Sequence, residues 1–286
     1  FQVPEHRAFN KEFGKNKIKK IIKLSKEKGR SARVLKQVKL FTDAAFYSQT
    51  MKMLEPGYIG GQSKGKTGLL VTDPNILTRT IKEYWDEGID IHIHSNGDAA
   101  QDVTLEAFEK QKEGKLGQRF IIEHGGLFLP EQISKAARLG VGLSVASHYV
   151  KYMGDDYKDA IGNKTQYITP LASAFSAGIH TTLHSDAPLA PPQPLVAASA
   201  HITRKTRQGN ISNPKERITP IQALKAITIE AAWSLGLDKE IGSIEVGKKA
   251  DFTILDKNPL TTEPEEWPNI IIHGTFVDGV FKKNVY

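Results

Sequence analysis

Cysteine is absent from the 286 residues, which excludes disulfide staples, thiolate metal ligands and thiol nucleophiles together. Any metal ion must then be held by nitrogen and oxygen. No apolar run approaches the roughly 20 residues needed to cross a bilayer. No charged start followed by a short apolar stretch marks a secretory leader. The chain opens on Phe1-Gln2-Val3 rather than methionine. The expected compartment is therefore the cytoplasm, with a periplasmic or secreted location left open, and no membrane partner is expected. Repeats and low-complexity tracts are lacking as well.

Positive charge is present, at a formal +7. Much of the surplus sits in one segment, Lys11 to Arg30 (KEFGKNKIKKIIKLSKEKGR), and the remainder is close to balanced. A surplus confined to one helical stretch reads as a solvated face rather than as a nucleic-acid surface. The 39% apolar content suits one sizeable core with an appendage.

From Val34 onward, short β-branched runs alternate with helical patterns, the rhythm of βαβ units and a parallel sheet in an α/β protein. The expected strands are Val34 to Phe41, Ile89 to Ile93, Phe120 to Glu123, Val141 to Val145 and His180 to Leu183. Helices are expected from Asp73-Pro74 to Gly88, Asp98 to Lys112, Pro130 to Leu139 and Leu171 to Ala177. One longer helix is expected from Thr219-Pro220 to Leu235. Beyond it, Gly242 to Glu245, Asp251 to Leu255, Asn269 to His273 and Thr275 to Val280 look like strands of a small β subdomain. Ala45 to Val71 is glycine-rich and aperiodic; so long a loop reads as an active-site lid.

Ligands of parallel α/β proteins meet the carboxyl ends of the strands. Those ends read Lys39-Leu-Phe-Thr-Asp43, His92-Ile-His94-Ser-Asn-Gly-Asp98, Glu123-His124, Val145-Ala-Ser-His148 and His184-Ser-Asp186-Ala-Pro188. Any one such histidine has an ordinary structural explanation. Imidazole and carboxylate at the ends of successive strands point to one mouth and a divalent ion. His92 and His94, two apart on a strand, share a face.

These blocks resemble the amidohydrolase superfamily of metal-dependent hydrolases, and within it the amidohydrolase-3 branch with its N-substituted formamide deformylases. The resemblance rests on Val38-Lys39-Leu-Phe-Thr-Asp43, His94-Ser-Asn-Gly-Asp98-Ala-Ala, Phe120-Ile-Ile-Glu123-His124 and Ser185-Asp186-Ala-Pro188. To these is added the characteristic tail Gly242-Ser-Ile-Glu-Val-Gly247-Lys-Lys-Ala-Asp251-Phe-Thr-Ile-Leu-Asp256. It implies a TIM-barrel-like (β/α)8 fold with a metal centre at its mouth. Lys39, as a bridging carbamate, with His94, His124 and Asp186, would hold one or two divalent ions, zinc being the expected metal. Asp186 would also carry the proton, His148 would hold the substrate carbonyl, and Asp98 and Glu123 would orient His94 and His124 from behind.

The family's first strand carries a His-x-His pair, followed by two more strands, and none of these is found. The only His-x-His, His92 to His94, continues into Gly97-Asp98-Ala-Ala and matches the fifth-strand block instead. The expectation is strands four to eight of the barrel. Residues 1–30 would form a basic helical segment, 31–236 the partial barrel and 237–286 the β subdomain. Either the chain is a fragment of a longer protein, or another polypeptide supplies the missing half; a homo-oligomer is a further arrangement. The expected activity is hydrolysis of C–N bonds in a small amide, formamide or cyclic imide. A partial barrel that binds metal or ligand without turnover is the alternative, and nucleic acid is not an expected partner.

Overall fold

The computed structural model describes residues 2–27, 32–111 and 114–284, which form two compact units, Phe1–Gly142 and Leu143–Tyr286. The first opens on an extended stretch whose Gln2 and Glu5 bridge Val34 and Lys39 in parallel fashion. It continues through α1 (His6–Phe13), α2 (Lys17–Lys26), β1 (Gln37–Phe41), α3 (Pro74–Trp85), β2 (Asp90–Ser95), α4 (Asp98–Glu109), β3 (Phe120–His124) and α5 (Pro130–Arg138). β1, β2 and β3 pair in that order, all parallel, with Lys39 level with His92 and Phe41 level with His94.

The basic segment has a structural role in this unit. α1 and α2 connect the extended stretch to β1 as the helices of a βαβ unit do, and α2 buries Ile21 and Leu24. Lys17 is buried too and bonds the Glu83 carboxylate on α3. Its amphipathic face is thus turned to protein, while most of its lysines stay in water. Arg30, the end of the expected segment, lies outside the described residues.

α3 starts where Asp73 accepts hydrogen bonds from the Asn75 and Ile76 N–H groups, with Pro74 in the first turn, and it buries Leu77, Ile81, Tyr84 and Trp85. α4 ends at Glu109, short of the expected Lys112, which is not among the described residues. The other face of the strands is apolar: Val38, Leu40, Ile91, Ile93, Phe120 and Ile122 are all at most 3% exposed.

The second unit holds β4 (Gly142–Ala146, starting at the boundary), α6 (His148–Lys151), α7 (Gly154–Ile161), α8 (Leu171–Ser176), β5 (Thr181–His184), α9 (Pro194–Thr203), α10 (Pro220–Ala226), α11 (Ile229–Ser234), β6 (Phe252–Leu255), β7 (Ile272–Val277) and β8 (Val280–Lys283). β4 and β5 pair in parallel, with Ala146 level with His184. β6, β7 and β8 form a separate antiparallel sheet, the expected small β subdomain. No described helix is long and apolar enough to cross a membrane.

Four local expectations change. The helix expected from Thr219 to Leu235 is two, α10 and α11, broken at Thr228 (φ −127°, ψ −94°). Three β-branched residues in a row, Ile227-Thr228-Ile229, crowd a helix, and the Thr228 hydroxyl bonds the Leu224 carbonyl instead. Gly242 to Glu245 forms no strand, and Ile244 within it is 84% exposed. The last two expected strands are displaced: β7 runs through Gly274, and the hairpin turns at Asp278-Gly279, both at positive φ, which is the Asp-Gly signal of a tight turn. α9 had no amphipathic signature because every residue from Ala197 to Thr203 is buried.

Gly97 marks where the Ala45–Val71 loop meets the sheet, since a Cβ there would stand 1.8 Å from the Lys52 carbonyl oxygen. Gly140 sits at φ +68° in open space. Gly97→Ala is therefore expected to lower urea-determined stability by about 2 kcal/mol or more. Gly140→Ala should cost only the roughly 1 kcal/mol of a left-handed alanine. Equal losses would show that the loop does not press on Gly97.

Candidate metal centre

In the first unit, side chains alternate across each strand, and register puts Lys39, Phe41, His92, His94 and Glu123 on the face opposite the apolar one. The Phe41 ring is a shared floor: the Lys39 ammonium lies 5.5 Å from its centroid and the His94 ring 5.4 Å. His94 and His124 meet edge to face at 4.6 Å between centroids. Lys39, in the middle of β1, and His94, near the end of β2, share that face, and the ring of His124, the last residue of β3, meets that of His94.

His94 Nε2 lies 3.2 Å from the Ala44 carbonyl, with the Asn96 amide also close at 3.1 Å. Both contacts engage Nε2, the carbonyl as an acceptor and the amide NH2 as a donor, so the role of that nitrogen follows the tautomer. His124 has φ +75°, a left-handed conformation rare outside glycine. Such strain persists only where surrounding packing enforces it, and it gathers at functional sites.

The two expected orienting carboxylates have other partners as well. Glu123 makes a short hydrogen bond with His92 Nδ1 on the neighbouring strand. Asp98 accepts a hydrogen bond from the Leu54 N–H at 2.8 Å and so holds the glycine-rich loop. That loop carries buried Phe46, Met51, Met53 and Tyr58, making it a packed cover of this unit.

Sequence reasoning gave no role to Asp43, although it ends the first strand-end block. Its carboxylate is fully enclosed and accepts N–H bonds from Lys52, Asn96 and Gly97 at 2.9, 3.0 and 3.0 Å. It also lies 3.6 Å from His94 Nε2. Burial pushes its pKa up to about 7, opposed by those three N–H groups. The available signal was the carboxylate four residues after Lys39, where the loop begins.

In the second unit, Asp186 follows β5 at φ +54°, strained like His124. His148 begins α6 directly after β4 and is fully buried. Burial, then His184, hold its pKa down at about 4, with the Ser185 backbone pulling the other way. The His184 ring bonds Ser144 Oγ through Nδ1 at 2.8 Å.

His201, on α9, was also missed. It is fully buried and neither ring nitrogen has a hydrogen-bond partner, so burial first and Arg204 second push its pKa well below 6.5. Arg204 is buried as well, its guanidinium donating to the carbonyls of Ser212, Thr169 and Ile168. A polar cleft of about 610 Å³ between residues such as Asp155, Asp159, Gln166 and Asn210 contains none of the expected site residues.

The Amidohydrolase family model matches residues 7–281. Two curated relatives are similar over 86% of the chain: YtcJ of Bacillus subtilis (strain 168), 29% identical, and the N-substituted formamide deformylase of Arthrobacter pascens, 27% identical. The chain spans about half of their length, 47% and 45%. The fold is also that of a metal-dependent hydrolase from Pyrococcus horikoshii OT3, with a TM-score of 0.73 at 24% identity over 93% of this chain and 57% of that one.

Two outcomes follow. Asp43→Ala orphans three buried N–H donors, so a loss of about 3 kcal/mol or more is expected in urea unfolding; a loss below about 1 kcal/mol would remove Asp43 as the clamp. His201 stays neutral when folded but protonates when unfolded, so the stability it contributes is present above pH 6.5 and is lost as pH falls below it. His201→Leu should leave stability at pH 8 within about 1 kcal/mol and flatten its decline between pH 6.5 and 5. An unchanged pH slope would contradict this.

Proposed function

The chain belongs to the amidohydrolase family, and from that premise we propose that it forms the C-terminal part of a metal-dependent hydrolase of C–N bonds. The substrate class is a small amide, formamide or cyclic imide. The observation that carries this reading is the placement of Lys39 and His94 on one face of neighbouring parallel strands, with the His94 and His124 rings 4.6 Å apart.

The donor set fits a divalent ion. His94 and His124 offer two imidazoles with rings 4.6 Å apart, and His124 is kept in a strained backbone that only packing sustains. Lys39, as a carbamate, would add oxygen donors on the same face. Asp186 is the carboxylate that the family pattern assigns from the second unit. With nitrogen and oxygen donors alone, zinc is one of several first-row ions that such a set accepts, and we favour it.

A bound divalent ion supplies Lewis acidity and makes water available as a nucleophile at neutral pH. Asp186 accepts the proton of that water and delivers it to the leaving nitrogen, acting first as base and then as acid. His148, held neutral by burial, donates an N–H to the substrate carbonyl oxygen. Glu123 and Asp98 act behind these groups, one holding His92 and the other the covering loop.

Elemental analysis of purified protein checks the assignment. About one or two zinc-like ions per molecule are expected, with none in a Lys39→Ala, His124→Ala double variant. Metal retained in the double variant would refute these ligands. Metal bound by the native chain without hydrolysis across an amide and formamide panel would favour a binding module.

A further inference from the structure

The family pattern assigns the second unit a single ligand, Asp186, yet the residue two before it is a histidine at the last position of β5. A ring nitrogen of His184 and a carboxylate oxygen of Asp186 lie within 4.8 Å of one another. Donors about 2 Å from a common ion stand roughly 3–4 Å apart, so a small side-chain adjustment suffices to share one.

His184 is also unusually well fixed. Its carbonyl accepts from both the backbone N–H and the hydroxyl of Ser147, at 3.2 and 3.3 Å. Its ring is held through Nδ1 by Ser144 Oγ, and Ser144 is only 6% exposed and points to the same face of the β4–β5 pair, since Ala146 is level with His184. With Nδ1 engaged by the Ser144 hydroxyl, Nε2 is the ring nitrogen assigned to the ion. This is how second partners orient metal-bound imidazoles. Asp186, at φ +54°, lies just past the strand, with a carboxylate oxygen within 4.8 Å of a nitrogen of that ring.

We infer that His184 is an additional metal ligand of this chain, paired with Asp186 and aimed by Ser144. The inference rests on the metal-dependent reading above. It makes the second unit a two-donor arm, imidazole and carboxylate, which would favour zinc or another nitrogen-preferring ion over magnesium or calcium.

The test titrates metal-stripped protein with Zn²⁺ against a chromophoric chelator, then records the visible absorption of the Co²⁺ form. His184→Gln is expected to weaken Zn²⁺ binding by tenfold or more and to alter the Co²⁺ bands. Ser144→Ala should weaken it by about tenfold, and His201→Leu should leave it unchanged. A His184→Gln variant with native circular dichroism, native Zn²⁺ affinity and an unaltered Co²⁺ spectrum overturns the inference while leaving the family ligands standing. Native protein that takes up no Zn²⁺ overturns both. Should His184→Gln not fold, Ser144→Ala decides: native affinity refutes the assignment, and a tenfold loss with altered Co²⁺ bands supports it.

Discussion

The face that carries Lys39 and His94 depends on the two-residue period of a parallel strand. β1, β2 and β3 present Val38, Leu40, Ile91, Ile93 and Ile122 to one side, where they are almost wholly removed from water. The same backbone delivers Lys39, His92, His94 and Glu123 to the other side. Burying the first set fixes register, because a one-residue slip would exchange the faces and put lysine and histidine into the core. The polar face is therefore held in place by hydrophobic packing behind it.

Asp43 illustrates how a buried charge-bearing group is tolerated. Desolvation alone disfavours its carboxylate, but three N–H groups from two chain segments converge on it. The consequence is mechanical: the β2–α4 turn and the start of the covering loop are tied to one point beside His94. Gly97 contributes by having no side chain where the Lys52 carbonyl must approach. The loop that began as an aperiodic run thus proves to be packed, with Asp98 binding Leu54 and several apolar side chains inside it.

The second unit handles buried polarity differently. Arg204 is satisfied by the carbonyl oxygens of Ser212, Thr169 and Ile168 and by the Thr169 hydroxyl, and His201 is left neutral and unpartnered. His184 is gripped at ring and carbonyl by Ser144 and Ser147. The first arrangement is structural; the second places a donor atom, and it stands next to a strained aspartate, where stored backbone strain and chemistry tend to coincide.

What the sequence determined by itself is the set of parallel strands, their helices, and the chemical identity of the groups at their ends, because period, caps and residue type are local properties. Five strands and the helices starting at Pro74, Asp98, Pro130 and Leu171 were legible in this way. Tertiary structure alone decided the partners: that Glu123 binds His92, that Asp43 clamps the turn at His94, that Ser144 holds His184, and that the basic segment is packed into its unit. It also decided α9, fully buried and without an amphipathic stripe, and the break at Thr228. Such features depend on which distant residues supply hydrogen bonds and exclude water, and no local pattern along the chain encodes that.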